Sequence, residues 1–256
     1  MSQSVFGHAD LHMHTTASDG VLPVRDLLDH IAQYRPELTA IAITDHNVME
    51  ASLWAYANKD HYPFDIIPGV EVNSRYGHVL ALWVTNPIPK HMDFKDTVAA
   101  IHEAGGLAIL AHPYHLELRE VRKNVWRYWN SFEGLKSAGF DAIETINAGL
   151  VTPGSNRFAG WMARHAGMAV TGSSDAHTPW AVGTGQTRYP GQSGDDLRRA
   201  ILAKQTVAEG SRWPLKEYVV FLKHVKGWKV TRSSATPPSS TPTAPLPSPL
   251  SSESQS

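Results

Sequence analysis

Short apolar runs alternate with amphipathic repeats over most of the chain, and each such pair predicts a strand followed by a helix. Val5 and Phe6, then the alternation through Leu11 and Met13, predict a first strand ending near His14. The spacing of Val24, Leu27, Leu28 and Ile31 predicts a helix that starts at Pro23, runs to about Tyr34 and is closed by Pro36. Residues 39–44 form a β-branched apolar run of the kind found in buried parallel strands, and it ends at Asp45-His46. A helix is expected from Met49 to about Asn58, then a strand over 64–70 that ends at Glu71. Residues 78–83 predict a strand that begins on a histidine. A helix over 93–104 is stopped by Gly105-Gly106, and a strand over 107–111 ends at His112-Pro113. Residues 116–138, rich in charge and Trp, predict an interrupted helix; Trp126 to Trp129 are read as its packed face. A strand over 140–143 ends at Glu144, and Pro153-Gly154 opens a helix to about His165. A strand over 168–172 leads into Ser173-Ser174-Asp175-Ala176-His177. A helix over 195–203, a short strand over 206–208 and an amphipathic helix over 214–228 complete the pattern.

Strands alternating with helices predict a parallel sheet. About seven βα units in a chain of this length predict an α/β fold closed into a β/α barrel rather than an open doubly wound sheet. No G-x-G-x-x-G turn follows the first strand, which speaks against a dinucleotide site. From Arg232 the composition shifts to Ser, Thr and Pro, so a barrel over 1–231 and a disordered tail over 232–256 are expected.

Composition narrows the chemistry. Lys and Arg number 23 against 24 Asp and Glu, a net charge of -1, so bulk charge drives no binding to a polyanion. No structural nucleic-acid binding is expected, and any phosphate contact must be local. The 256 residues contain no cysteine, which removes disulfides and thiolate ligands. A bound metal must use His, Asp and Glu, a set that suits Zn²⁺, Mn²⁺ or Fe²⁺. The absence of a signal pattern and of a long apolar span predicts a soluble cytoplasmic protein without membrane contact.

The metal-capable side chains are not scattered. His12, His14, Asp45, His46, Glu71, His112, Glu144, Asp175 and His177 all fall at or just past the C-terminal end of a predicted strand. In a parallel barrel those ends share one face, where active sites are built. His12 and His14, two apart on a strand, project to the same side, and each neutral ring offers a lone pair to a metal. Asp10 is expected to orient a ligand ring, as outlying carboxylates do; Asp45 is open to either role. His115, after the His112-Pro113 corner, is open to a phosphate contact, a proton donor or a plain loop residue. His8, His30, His61, His91, His102, His165 and His224 lack a metal-capable partner at a strand end and are assigned no role.

The ordered set D-L-H-M-H, S-D-G, T-D-H, G-V-E-V, G-H-V-L, A-H-P, I-E and S-S-D-A-H, spread over residues 5–182, resembles the PHP (polymerase and histidinol phosphatase) family. The likeness is greatest to its small stand-alone phosphoesterases, among them nucleoside 3',5'-bisphosphate phosphatases and 5'-3' exoribonuclease-like enzymes. It implies a distorted seven-stranded β/α barrel with a two- or three-metal cluster. One metal would be held by His12, His14, Glu71 and Asp175. A second would be held by Glu71, as a bridging carboxylate, with His78 and His112; a third by Asp19, His46 and His177. Asp19 stands where some relatives carry His, Asn47 follows His46 where many carry Asp, and Tyr114 and His115 stand where some nucleotide-specific relatives carry Arg. The amidohydrolase superfamily also opens with His-x-His, but the Asp45-His46 pair and Glu71 fit the PHP pattern better.

The expected activity is a metal-dependent phosphoesterase acting on a small phosphate ester, a phosphomonoester or short nucleotide, by attack of a metal-bridging hydroxide on phosphorus. Glu71 would set the metal spacing, and the leaving oxygen would be met by the third metal or protonated by a nearby acid such as His115 or His177. Arg75, Arg157 and Arg188 are candidate phosphate contacts from loop position. The alternatives are an amidohydrolase-like C–N or lactone hydrolase and a non-catalytic metal- or phospholigand-binding module.

Overall fold

The computed structural model describes residues 5–113 and 137–234. In chain order the elements are β1 (Phe6–Asp10), α1 (Val24–Tyr34), β2 (Ala40–Ile43), α2 (Glu50–Ala57), β3 (Asp65–Asn73), β4 (His78–Leu82), α3 (Phe94–Glu103), β5 (Leu107–Leu110), β6 (Ala142–Asn147), α4 (Ser155–Ala166), β7 (Ala169–Ser173), β8 (Gly185–Pro190), α5 (Gly194–Leu202), β9 (Val207–Gly210) and α6 (Leu215–Ser234). The strands form one sheet in the order β7-β6-β5-β4-β3-β2-β1-β8-β9. The helix expected over 116–138 lies almost wholly outside the described residues, as do Trp126 to Trp129. Helix α6 runs through 232, where the tail was expected to begin.

Strand alternation sorts the apolar residues into layers. Ala9, Leu11, Ala40, Ala42, Ile67, Leu80, Leu82, Leu107, Ile109, Ala142 and Ala169 meet inside the sheet. Their neighbours one residue along point outward: Ile41 and Ile43 pack with Leu27, Leu28 and Ile31 of α1. Val79, Ala81, Ala108 and Leu110 pack with Val98 and Ile101 of α3 and Met162 of α4. Each Val, Leu, Ile or Met side chain so removed from water contributes about 1.5–3 kcal/mol.

The sheet is a nearly closed barrel. Beyond the end of β1, Met13 pairs in parallel with Ala176 beyond the end of β7. His14 N–H donates to the Ala176 carbonyl at 2.8 Å, and Ala176 N–H to the His12 carbonyl at 3.3 Å. Below this seam β8 lies along β1, antiparallel to it, and β9, which follows α5, pairs antiparallel with the far edge of β8. Thr187 on β8 reaches β7, its Oγ1 accepting from Gly172 N–H at 3.0 Å and donating to the Gly172 carbonyl at 2.9 Å.

Two features depart from the expected all-parallel sheet. Strand β4 is antiparallel to both β3 and β5. Residues 74–77 are all that separate β3 from β4, too few for a crossover, so the chain must turn back as a hairpin. Strand β8 was not expected, because its sequence Gly-Gln-Thr-Arg-Tyr-Pro carries one large apolar side chain. That side chain, Tyr189, is fully buried.

Candidate metal centre

The inward-facing register of the barrel ends on polar groups at its C-terminal rim. Glu71 continues the line of Ile67 and Gly69 on β3, and Glu144 follows Ala142 on β6. Because β4 runs backwards, His78 at its start stands on the same rim, opposite Asn73. His46 pairs in parallel with Glu71, a bridge in which Asn47 N–H donates to the Glu71 carbonyl at 2.9 Å. Asn47 has φ 56°, in the left-handed region that Asn tolerates, and its Oδ1 accepts from Asn73 N–H at 2.8 Å. The Asn after Thr-Asp-His is thus a backbone latch. Asp19 is presented by a tight loop in which Gly20 N–H donates to the Thr15 carbonyl at 2.9 Å. A Cβ at Gly20 would come within 2.3 Å of the His14 carbonyl oxygen, so only glycine fits there. His112 and Asp175 also have positive φ, 24° and 53°. Such strain costs about 1–3 kcal/mol per residue and persists only where the surroundings impose it.

The ligand-type atoms converge. Those of His12, His14 and Glu71 lie within 4.8 Å of one another, as do those of His12, His112 and Asp175, of His46, Glu71 and His78, and of His14, Asp19, His46 and His177. Glu71 is the centre of the array. Its Oε2 lies 3.2 Å from His12 Nε2, 3.4 Å from His14 Nε2 and 3.0 Å from His46 Nδ1, and its Oε1 2.8 Å from His78 Nδ1 and 3.0 Å from His112 Nε2. Asp175 Oδ1 lies 3.3 Å from His12 Nε2 and 3.2 Å from His14 Nε2. Asp19 Oδ1 lies 3.3 Å from His177 Nε2.

Whether these residues fit a metal is decided by the atoms left over. His12 Nε2, His14 Nε2, His46 Nδ1, His78 Nδ1 and Glu71 Oε2 are buried without a hydrogen-bond partner among the described residues. They approach one another closely yet not along N–H axes, as atoms do when they face a shared cation instead of each other. A buried polar atom without a partner costs about 1–3 kcal/mol, and five at one spot call for an occupant. The outer nitrogens fix the tautomers. A carboxylate only accepts, so His12 Nδ1 donates to Glu144 Oε1 at 3.1 Å. His177 Nδ1 donates to the Asp175 carbonyl at 2.9 Å. Ser18 Oγ donates to Asp45 Oδ1 at 2.6 Å, so His14 Nδ1, 3.3 Å away, donates to Ser18 Oγ. With the outer proton so committed, the inner nitrogen of His12 and of His14 is the one that turns a lone pair to a metal.

The charges agree. Burial pushes the Glu71 carboxyl up, but the imidazoles of His46, His12 and His78 outweigh it and hold the group well below the usual carboxylate range. Asp175, also buried, is held well below that range by His12, His14 and His177. Burial opposes a proton on His12, but Asp175, Glu71 and Glu144 outweigh it and raise the imidazole well above its usual value. His177 is raised to about 9 by its bond to Asp19, again against burial. His46 is lowered, chiefly by burial. The ionised carboxylates therefore demand positive charge at their centre.

All nine expected ligands, His12, His14, Asp19, His46, Glu71, His78, His112, Asp175 and His177, are among the gathered residues. His115 lies outside the described residues. Arg75, in the β3–β4 turn, and Arg157, in the first turn of α4, are exposed on the rim side. Arg188 is elsewhere: it sits on β8 opposite His8, its Nε 2.6 Å from Glu209 Oε1 and its guanidinium 4.8 Å from the Phe6 ring. Asp10 orients no imidazole; it accepts from Ser174 N–H at 3.0 Å and Gly183 N–H at 2.8 Å, pinning the turn that carries Asp175. Burial raises its carboxyl to about 6. Asp45 holds the Asp19 loop, accepting from Thr15 N–H and Thr15 Oγ1, each at 2.7 Å. Asn147 was missed: its Nδ2 donates to Glu144 Oε2 at 2.9 Å and Asp175 Oδ2 at 3.0 Å. Trp213 was missed too, donating from Nε1 to the Ser174 carbonyl at 2.7 Å. An Asn three residues after the strand-end Glu144 was the available signal for the first; nothing in the sequence marked the second.

Comparison with known proteins decides the family. The PHP domain family model matches residues 10–146. The chain belongs to the PHP family. A PHP-associated region follows over 153–206. Uncharacterized protein MJ1587 of Methanocaldococcus jannaschii is 31% identical over 117 residues, covering 41% of this PHP chain and 67% of the relative. The 5'-3' exoribonuclease Rnm of Salmonella typhimurium is 31% identical over 106 residues, 39% of this chain and 36% of that enzyme. A Bacteroides vulgatus two-domain protein, described as containing a predicted PHP-like metal-dependent phosphoesterase, superposes with TM-score 0.64 at 18% identity, over 82% of this chain and 66% of that one. That likeness is one of fold. No helix among the described residues is long and apolar enough to cross a membrane.

Proposed function

We propose that this PHP protein is a metal-dependent phosphoesterase that hydrolyses a small phosphate ester, a phosphomonoester or a short nucleotide. The observation that carries the reading is the meeting of five buried, partnerless donor atoms around Glu71. Divalent Zn, Mn or Fe ions bound there, about two or three of them, would activate water and neutralise charge on the phosphoryl oxygens. His12, His14, Glu71 and Asp175 would hold one, Glu71, His78 and His112 a second, and Asp19, His46 and His177 a third.

The protein's own contribution is arrangement. Glu71 and His12 are fully buried, whereas the side chains of Asp19 and His46 are 27% and 26% exposed, so substrate enters over the latter pair. Substrate phosphate then meets the inner carboxylates only across whatever cations they hold, because direct approach would set anion against anion. Arg75 and Arg157 on the same rim are proposed to steer it. The water oxygen bonds to phosphorus as its proton passes to solvent, the ester P–O bond breaks, and the departing oxygen takes a proton from solvent on the open side, beside Asp19 and His46. Rnm, named a 5'-3' exoribonuclease, supports a nucleotide among the candidate substrates.

The test is a panel of phosphate mono- and diesters, run on protein stripped by chelator and reloaded with each metal. Turnover is expected only after reloading. Glu71→Gln is expected to lower it at least about 10³-fold with the circular dichroism unchanged. Turnover that survives either treatment overturns the reading.

A further inference from the structure

Helix α6 lies past residue 206, where the PHP-associated match ends, yet it is docked on the ligand-bearing loops. Trp213, just before it, bonds the Ser174 carbonyl, and Tyr218 Oη donates to the Ala148 carbonyl at 3.1 Å. One turn on from Tyr218, Phe221 places its ring centroid 4.5 Å from that of His177. His177 also stacks on His14, with ring centroids 4.2 Å apart. Phe221 is therefore one ring removed from the cluster, against His177, whose Nε2 faces the partly exposed Asp19.

Among the described residues, Trp213 and Phe221 are the aromatic side chains of hydrocarbon or indole type whose rings border a ligand imidazole. Trp213 is buried and spent on anchoring the Ser174 carbonyl, whereas Phe221 remains partly exposed. His177 needs no help from Phe221 to stay oriented, since its Nδ1 bond to the Asp175 carbonyl and the His14 stack already fix the ring. A partly exposed apolar ring beside a site otherwise built of carboxylates and imidazoles has no part in holding cations. It suits the part of the substrate that is not phosphate.

Resting on the phosphoesterase reading, we propose that Phe221 forms the wall of a substrate subsite that stacks a flat aromatic group borne by the phosphate ester, a nucleobase or an aryl ring. Stacking on an aromatic side chain is worth about 1–3 kcal/mol, and 1.4 kcal/mol is tenfold in kcat/KM. The subsite would thus favour aromatic esters by about tenfold or more over esters that lack the ring.

Matched substrate pairs test it. Adenosine 5'-monophosphate and ribose 5-phosphate share a leaving oxygen and differ in the base; phenyl phosphate and glycerol phosphate form the aryl arm. Reactivity differences within a pair cancel when the kcat/KM ratio is compared between the wild type, Phe221→Leu and Phe221→Tyr. The aromatic-to-nonaromatic ratio is expected to fall about tenfold in Phe221→Leu and to be kept in Phe221→Tyr, with equal metal content in all three. The pair that responds names the source of the ring. A ratio unchanged in Phe221→Leu overturns the subsite, and so does metal loss in that variant, which would make Phe221 a packing support for His177. Turnover with an unchanged ratio overturns the subsite alone; absence of turnover on every ester overturns both readings.

Discussion

His12 shows how one imidazole is made into a ligand. Its Nδ1 proton is committed to Glu144, and Glu144 is committed in turn to His112 N–H at 2.8 Å and Asn147 Nδ2 at 2.9 Å. A carboxylate so held fixes both the tautomer and the tilt of the ring. Glu144→Gln, which keeps the shape and loses the charge, is expected to weaken metal affinity about 10–100-fold. Competition against a chromophoric chelator measures this, and an unchanged affinity would show that His12 needs no such partner. The same imidazoles set a pH dependence. In the metal-free protein His12, His112 and His177 are raised by the carboxylates they face, His177 to about 9. A cation must displace those protons, so affinity rises with pH through the neutral range. Calorimetry in buffers of different ionisation enthalpy should show proton release that is largest on the acid side. At this scale the gathering of His12, His14, His46, Glu71, His112, Asp175 and His177 was legible from their place at predicted strand ends, whereas Asp19 and His78 came only from the family resemblance. The partners were not. Asp10 and Asp45 serve backbone amides of loops far away in sequence, and nothing local to either residue says which amide that will be.

Among the elements, the strands with continuous apolar runs were legible and β8 was not. Its pattern is half polar because Gln186 and Arg188 face outward while Thr187 and Tyr189 bond inward. The reversal of β4 was legible in principle, since a four-residue connection excludes a crossover and a strand that opens on a histidine puts that residue at the rim only when it runs backwards. Tyr189 ties β8 to its neighbours, its Oη lying 2.8 Å from Thr39 Oγ1 and donating to the Gln192 carbonyl at 3.0 Å. Burial raises its phenol to about 12, two units above its usual 10. The folded state thus holds this proton more tightly than the unfolded state. The associated stability is complete below pH 10 and is lost as pH rises toward 12, an effect of order 2–3 kcal/mol. Tyr189→Phe is expected to cost about 1 kcal/mol at neutral pH, for the lost hydrogen bonds. It should also flatten the alkaline limb of the stability profile relative to the wild type. Urea unfolding at pH 8 and pH 11 measures both, and parallel alkaline limbs would rule the phenol out as their cause.

For the molecule as a whole, the barrel seam and the candidate metal centre are one structure. The parallel bridge that joins the ends of β1 and β7 is made by Met13 and Ala176, which lie between His12 and His14 on one side and Asp175 and His177 on the other. Without a cation, this junction holds partnerless imidazole nitrogens and a carboxylate group with positive φ at Asp175, all of which favour opening. A cation bound by both edges would clamp them, whereas the antiparallel pair of β8 and β9 below the seam has its own bonds and gains nothing from it. Metal loading at about 100 times Kd is therefore expected to stabilise the fold by about 2.7 kcal/mol, and to raise Tm by roughly 5–10 °C for a chain of this size. The gain should be local as well. Amide exchange at His14 and Ala176, whose N–H groups make the seam bonds, should slow by more than exchange at Thr187 or Tyr189 of β8. Scanning calorimetry and hydrogen exchange on chelated and reloaded protein measure the two. Coincident melting curves would mean that no cation binds both edges. A rise in Tm with uniform slowing of exchange would place the clamp somewhere other than the seam.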